Sequence, residues 1–151
     1  MDSNKILTQL FIFIISLSFF NCASFKIPAP DGFASYKGTK VFRAVSPDGI
    51  NFRVRTEKNN PFAEIPFWKE AMQNRMINAG YILVDSRTIK ANDEKGEILE
   101  FAAPFGAEDY SYLIAIFAKN DELIIIESSG EVGNFQKKKS TIIAAINKIK
   151  F

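Results

Sequence analysis

The period of the hydrophobic pattern changes along the chain, and each change marks an element. Residues 39–45 and 50–56 alternate apolar and polar positions on either side of Ser46-Pro47-Asp48-Gly49, a turn in which proline presets φ and glycine supplies a positive φ. The pattern predicts a β-hairpin, and a glycine bulge in its loop pairs Ala44 with Phe52 and Phe42 with Val54. In that register Phe42, Ala44, Ile50, Phe52 and Val54 share one face, while Val41, Arg43, Asn51, Arg53 and Arg55 share the other. Slippage by one residue would set Arg43 among the apolar side chains, so pattern and turn chemistry specify the same pairing.

After a polar loop, 57–61, the spacing becomes helical. Trp68, Met72, Met76 and Ala79 recur on one face between Pro66, suited to the first helical position, and Gly80, suited to the C-terminal cap. Four strand-like runs follow, 81–88, 97–103, 110–118 and 123–128, with short turn-rich separators that predict an antiparallel meander. The run YSYLIAIFA, residues 110–118, is apolar on both faces beyond its start and reads as a central strand covered on both sides. Phe135, Ile142, Ala145, Ile146 and Ile149 then form the stripe of a closing helix, with Asn134 as its N-cap and Lys148 and Lys150 at its negative end. Hairpin, helix, four-strand meander and helix make an α+β fold: an antiparallel sheet of about six strands with helices packed on it, one domain over residues 40–151.

The N-terminus departs from this pattern. Lys5 precedes LFIFIISLSFF, residues 10–20, which is apolar on every side and well short of the roughly 20 residues that span a bilayer. It reads as the apolar region of a signal peptide, residues 1–21. Residues 22–39 are broken by Pro28, Pro30, Gly32 and Gly38 and read as a tether, with Phe25, Phe33 and Tyr36 as the side chains able to pack on the domain instead. The segment Phe19-Phe20-Asn21-Cys22 resembles the permissive lipobox of spirochaetal lipoproteins, with Phe19 where leucine is usual and Asn21 where glycine or alanine is usual. That resemblance implies diacylglyceryl transfer to the Cys22 sulfur, cleavage after Asn21 and acylation of the new terminus with a palmitate-like chain. The membrane is then a partner through Cys22. Ala23 and Ser24 stand where aspartate often marks inner-membrane retention, which favours the outer membrane.

Composition narrows the chemistry. The chain has 151 residues, 47% hydrophobic and 24% charged, with a net charge of +2. That suits one domain and lacks the basic footprint of a nucleic-acid binder. One cysteine and no histidine exclude an intramolecular disulfide, zinc sites built from several Cys or His, and Ser-His-Asp or Cys-His relays. No cofactor or metal is expected.

The order of elements resembles the PsbP-like fold. The resemblance is carried by the hairpin around Ser46-Pro47-Asp48-Gly49, the helix running into Asn78-Ala79-Gly80-Tyr81, and the closing Ile142-Ile143-Ala144-Ala145-Ile146 helix, and it covers residues 40–151, about three quarters of the chain. It implies a non-catalytic binding or assembly role, with no functional residue carried over by motif.

Candidate sites are few. Arg43, Arg53 and Arg55 share one hairpin face with Lys40 near, and like charges facing across strands need an acidic answer. The face reads either as a site for an anion or an acidic partner, or as a charged edge paired internally with a carboxylate such as Glu127. Glu108 and Asp109 offer oxygen ligands without the alternation of a calcium loop. Trp68, Met72 and Met76 read as core or as the lining of an apolar pocket, and Lys137, Lys138 and Lys139 as a solvated face or a contact to lipid headgroups. Carboxylate chemistry would draw on Glu64, Glu70, Asp85 or Glu100. The sequence points first to a lipid-anchored, non-enzymatic interaction or assembly module of the cell envelope with a protein partner, and second to a small-ligand or anion-binding accessory lipoprotein using the basic hairpin face.

Overall fold

A computed structural model describes residues 25–38, 41–105 and 108–151. The residues read as a signal peptide, Cys22, Lys40, and Gly106 and Ala107 before Glu108 lie outside the described residues. The elements run β1 (Ala34–Ser35), β2 (Phe42–Val45), β3 (Asn51–Lys58), α1 (Ile65–Asn78), β4 (Ile82–Ala91), β5 (Glu94–Phe105), β6 (Glu108–Lys119), β7 (Glu122–Glu131) and α2 (Val132–Asn147). All seven strands form one antiparallel sheet in the order β1-β2-β3-β7-β6-β5-β4. The architecture is the expected α+β, with seven strands rather than about six. The added strand, β1, comes from the segment read as a tether. Phe25, Ile27, Ala29 and Phe33 of that segment pack against the core.

The β2–β3 hairpin has the expected register, Ala44 opposite Phe52 and Phe42 opposite Val54. Its loop closes through hydrogen bonds from the Gly49 amide to the Ser46 carbonyl and from the Ile50 amide to Ser46 Oγ. The meander strands are longer than their apolar runs because charged residues continue the pairing to two-residue turns at Asn92-Asp93 and Asn120-Asp121. Asn92 and Asn120 both take the left-handed conformation that asparagine tolerates. The segment 104–109 is largely ladder too, with Pro104 opposite Asp109 and Phe105 opposite Glu108.

Two cores lie on the two faces of the sheet. On one, α2 places Phe135, Ile142 and Ile146 over Phe52, Val54, Ile98, Leu113, Phe117 and Ile126. On the other, α1 packs Met72, with Trp68 and Met76 partly buried, over Leu99, Phe101, Ile114, Ile116 and Ile125. Central strands β6 and β7 are therefore apolar on both sides, as YSYLIAIFA predicts. Gly130 leaves room for the buried Ile50 just before β3: a Cβ there would run into the Ile50 side chain and lie 3.3 Å from its Cα.

Each helix is also tied to β5 by a lysine. Lys69 of α1 reaches Glu97 at 3.1 Å, and Lys139 of α2 reaches the buried Glu100 at 2.6 Å, where Arg87 joins at 2.9 Å. Helix α1 ends in a Schellman motif: Tyr81 N–H donates to the Met76 carbonyl and Gly80 N–H to Ile77, with Gly80 at φ 90°. Pro66 is its second residue, one place later than expected. Asn134 is not the N-cap of α2. The helix leaves β7 without a loop, and Glu131 caps it by accepting from the Gly133 and Asn134 amides at 2.7 and 2.9 Å. Those two hydrogen bonds hold the Glu131 carboxyl below the usual carboxylate range.

The polar loop before α1 is organised by Asn59, only 6% exposed. Its side chain bonds both the amide and the carbonyl of Ala63 at 3.1 Å and accepts from Trp68 Nε1 at 2.7 Å. Three partly buried hydrogen bonds from one side chain imply a cost of about 2 kcal/mol on Asn59→Ala, or roughly 8 °C in Tm. Thermal denaturation measures it, and Trp68, the single tryptophan, should change its emission in the same variant. An unchanged Tm would contradict this role.

Candidate functional site

The site follows from a mismatch of widths. Seven strands at about 4.8 Å spacing extend about 29 Å, whereas one helix with its side chains covers about 10 Å. Helix α1 packs over β4, β5 and β6. On that face β2, β3 and the adjoining part of β7 are left open beside it, and they carry the polar half of the hairpin alternation. The opposite face of the same strands is closed by α2 and the segment 25–33.

Ladder pairing sets a row of side chains across the open area. Tyr36 donates its amide to the Arg43 carbonyl at 2.9 Å; Arg43 lies opposite Arg53, and Arg53 opposite Glu127. Glu127 is the acidic answer to the arginines. Its Oε2 accepts from Arg53 Nε at 2.8 Å and Arg55 Nε at 3.2 Å, and its Oε1 accepts from the Tyr112 hydroxyl at 2.8 Å. Arg55 also pairs with Glu57. Of the three arginines expected on this face, Arg53 and Arg55 are thus engaged internally. Arg43 is exposed, and among the described residues it has no salt bridge.

Burial alone would push the Glu127 carboxyl up. The hydrogen bonds from Tyr112 and Arg53, together with the charges of Arg55 and Arg53, outweigh that and hold it below its ordinary value. Tyr112 is pushed the other way, by burial first and then by the adjacent carboxylate charge, so its hydroxyl stays protonated as a donor. Tyr81 packs edge-on against Tyr112 with ring centroids 5.7 Å apart.

Around this cluster lie two adjoining hollows of about 430 Å³ each. Arg53, Tyr112 and Glu127 form their common wall. The first is lined further by Tyr36, Arg43, Asn51 and Ser129, and the second by Arg55, Glu57 and, from α1, Met72, Arg75 and Met76. Four arginines against two glutamates leave the cleft net positive. Arg75, like Arg43, has no salt bridge among the described residues.

Sequence reasoning did not place Tyr36, Arg75 or Tyr112 with the arginines. Tyr112 shares the parity of Ile114 and Ile116 and could have been set on the α1 face. The contact needs β3 beside β7, where Arg53 pairs with Glu127 from a distant part of the chain.

The remaining candidates fall elsewhere. Trp68, Met72 and Met76 belong to the α1 core. Glu64 and Glu70 are exposed on α1, while Asp85 and Glu100 share Arg87 on the other face of the sheet. Asp109 is exposed, and among the described residues no group of three potential ligands could hold a metal ion. Lys139 is engaged with Glu100; Lys137 is exposed and Lys138 half-buried.

Because folding lowers the Glu127 pKa, its ionised pairing contributes stability above the ordinary carboxylate value of about 4.5. That contribution is lost as pH falls through the lower folded value. Glu127→Gln should therefore cost about 2 kcal/mol near pH 7, and its deficit against the native chain should shrink as pH drops below about 4.5. Urea denaturation over a pH series tests this; parallel stability curves would contradict it.

No family model matches the chain, and no curated sequence matches it. Solved structures match in fold. LpqN, involved in cell envelope biogenesis of Mycobacterium tuberculosis, aligns with a TM-score of 0.69 at 7% identity, over 84% of this chain and 82% of that one. CyanoP, the cyanobacterial PsbP of Synechocystis, aligns with a TM-score of 0.60 at 13% identity, over 83% of this chain and 85% of that one. PA94 of Pseudomonas aeruginosa, a protein of unknown function, gives 0.60 at 8% identity, over 77% and 94%. Identities this low speak for fold alone: the chain shares the PsbP-like fold of these structures.

Proposed function

We propose that this protein is a lipid-anchored, non-catalytic interaction module of the cell envelope, which docks an acidic segment of a protein partner in the arginine cleft. The observation that carries the reading is the state of the four arginines. Arg53 and Arg55 are fixed by Glu127 and form a positive floor, while Arg43 and Arg75 stand at the two ends, without a salt bridge among the described residues. Tyr36, 56% exposed, adds an aromatic wall of the kind enriched at interfaces. Support for a non-catalytic role comes from the absence of histidine in the sequence and from the pairing of Asp85 and Glu100 with cations.

Anchoring rests on the signal-like N-terminus and Cys22, with the outer membrane as the expected site. The involvement of LpqN in cell envelope biogenesis is compatible with it. A second reading, a small anionic ligand, is favoured by the volume of each hollow, about 430 Å³, which lies within the usual range for small-molecule sites.

A photoreactive residue at Asn51, on the cleft rim, should crosslink a defined partner in intact membranes, and the Arg43→Gln/Arg75→Gln variant should lose at least about nine tenths of the product, as for truncation of hot-spot arginines. Crosslinking unaffected by those substitutions would overturn the cleft as docking site. Stabilisation of the purified protein by citrate or phosphate, abolished in the same variant, would establish the small-anion reading instead. For the anchor, Cys22→Ala should move the protein from the membrane to the soluble fraction; a variant that stays fully membrane-bound would contradict lipidation.

A further inference from the structure

The segment read as a tether is bound to the domain, which changes how an anchored domain could sit. Lys26 and Lys150 form a two-residue antiparallel ladder, each amide donating to the other's carbonyl at 2.8 Å. Directly opposed residues in such a pair project to the same side, so both lysine side chains leave the bridge on one side, and both residues are exposed. Lys148, the exposed C-cap of α2, stands two residues before Lys150. Phe25, Ile27 and Phe151 pack into the core beneath, with the Phe151 ring 5.2 Å from Phe117, and Asn92 holds the Ile149 carbonyl at 2.6 Å. Asp31 lines a recess with Lys148, and Asp93, beside Asn92, is 3.8 Å from Lys90. Among the described residues Lys26, Lys148 and Lys150 have no salt bridge.

Phe25 lies three positions after Cys22, with only Ala23 and Ser24 between them, a reach of at most about 11 Å even when fully extended. An acyl chain on Cys22 would therefore bring a headgroup layer to within that distance of the fixed position of Phe25, beside the three lysines. We propose that the Lys26–Lys148–Lys150 end rests on an anionic lipid surface and holds the domain in one orientation. The inference rests on acylation of Cys22 and adds to it a second, electrostatic contact, the combination of signals that makes lipid anchoring stable. It turns the arginine cleft, on the opposite face of the sheet, away from the bilayer and toward a partner.

The test uses the acylated full-length chain in vesicles of phosphatidylglycerol and phosphatidylethanolamine doped with headgroup spin-labelled lipid. A fluorophore on a cysteine introduced by Asn147→Cys, beside the lysine end, is compared with one introduced by Asn74→Cys on α1. The expected result is quenching at least about fivefold stronger at position 147. The difference should collapse in the Lys26→Gln/Lys148→Gln/Lys150→Gln variant and on uncharged phosphatidylcholine vesicles. Equal quenching at both positions, with acyl mass confirmed on Cys22, would overturn the orientation and leave the anchor standing. A difference that persists unchanged without lysine or lipid charge would overturn the electrostatic contact, and a chain lacking acyl groups would overturn anchor and orientation together.

Discussion

Burial on both faces of the central strands is the constraint from which the rest of the structure follows. Leu113 through Phe117 of β6 and Leu123 through Ile126 of β7 are all buried, so a helix is needed above and below. One helix is narrower than seven strands, and the uncovered remainder must be made compatible with water. On the α2 face the segment 25–33 fills the gap with Phe25, Ile27 and Phe33. On the α1 face the gap stays open and is lined with arginines. The cleft is thus a geometric consequence of the fold, and the polar half of the hairpin is its chemistry.

Glu127 makes that chemistry tenable. Without it, Arg43, Arg53 and Arg55 would be three like charges on adjoining strands. With it, two of them become a fixed charged surface, and the Tyr112 hydroxyl occupies the other carboxylate oxygen. Side chains already held in place lose little freedom on binding, which favours recognition by a preformed site. The same fold in LpqN and CyanoP shows that this arrangement of sheet and helices is shared by chains with almost no sequence in common. The arginine cleft has to be argued from the residues of this chain.

Much of this was legible in the sequence where the determinants are local. The hairpin register follows from alternation and one turn; the stripe of α2 and the two-sided burial of β6 follow from period alone. What was not legible depends on distant contacts or on unusual chemistry. Strand β1 hides in a proline-rich stretch because two residues carry no periodic signal. Glu131 caps α2 although glutamate is not a favoured N-cap, since its position at the end of β7 aims it at the first free amides. Glu127 was visible as a candidate partner of the arginines, but Tyr112 and Arg75 join them only through the long-range placement of β7 and α1.

In the proposed docking mode Arg43 and Arg75 are the recognition groups of the cleft, and Arg53 and Arg55, held by Glu127, are its fixed floor. Dicarbonyl footprinting of arginines, compared between intact membranes and purified protein, tests this most directly. In purified protein Arg43 and Arg75 should react fast and Arg53 and Arg55 slowly, and in membranes only the first pair should become protected. Equal reactivity of all four in purified protein, or no protection of Arg43 and Arg75 in membranes, would contradict the account.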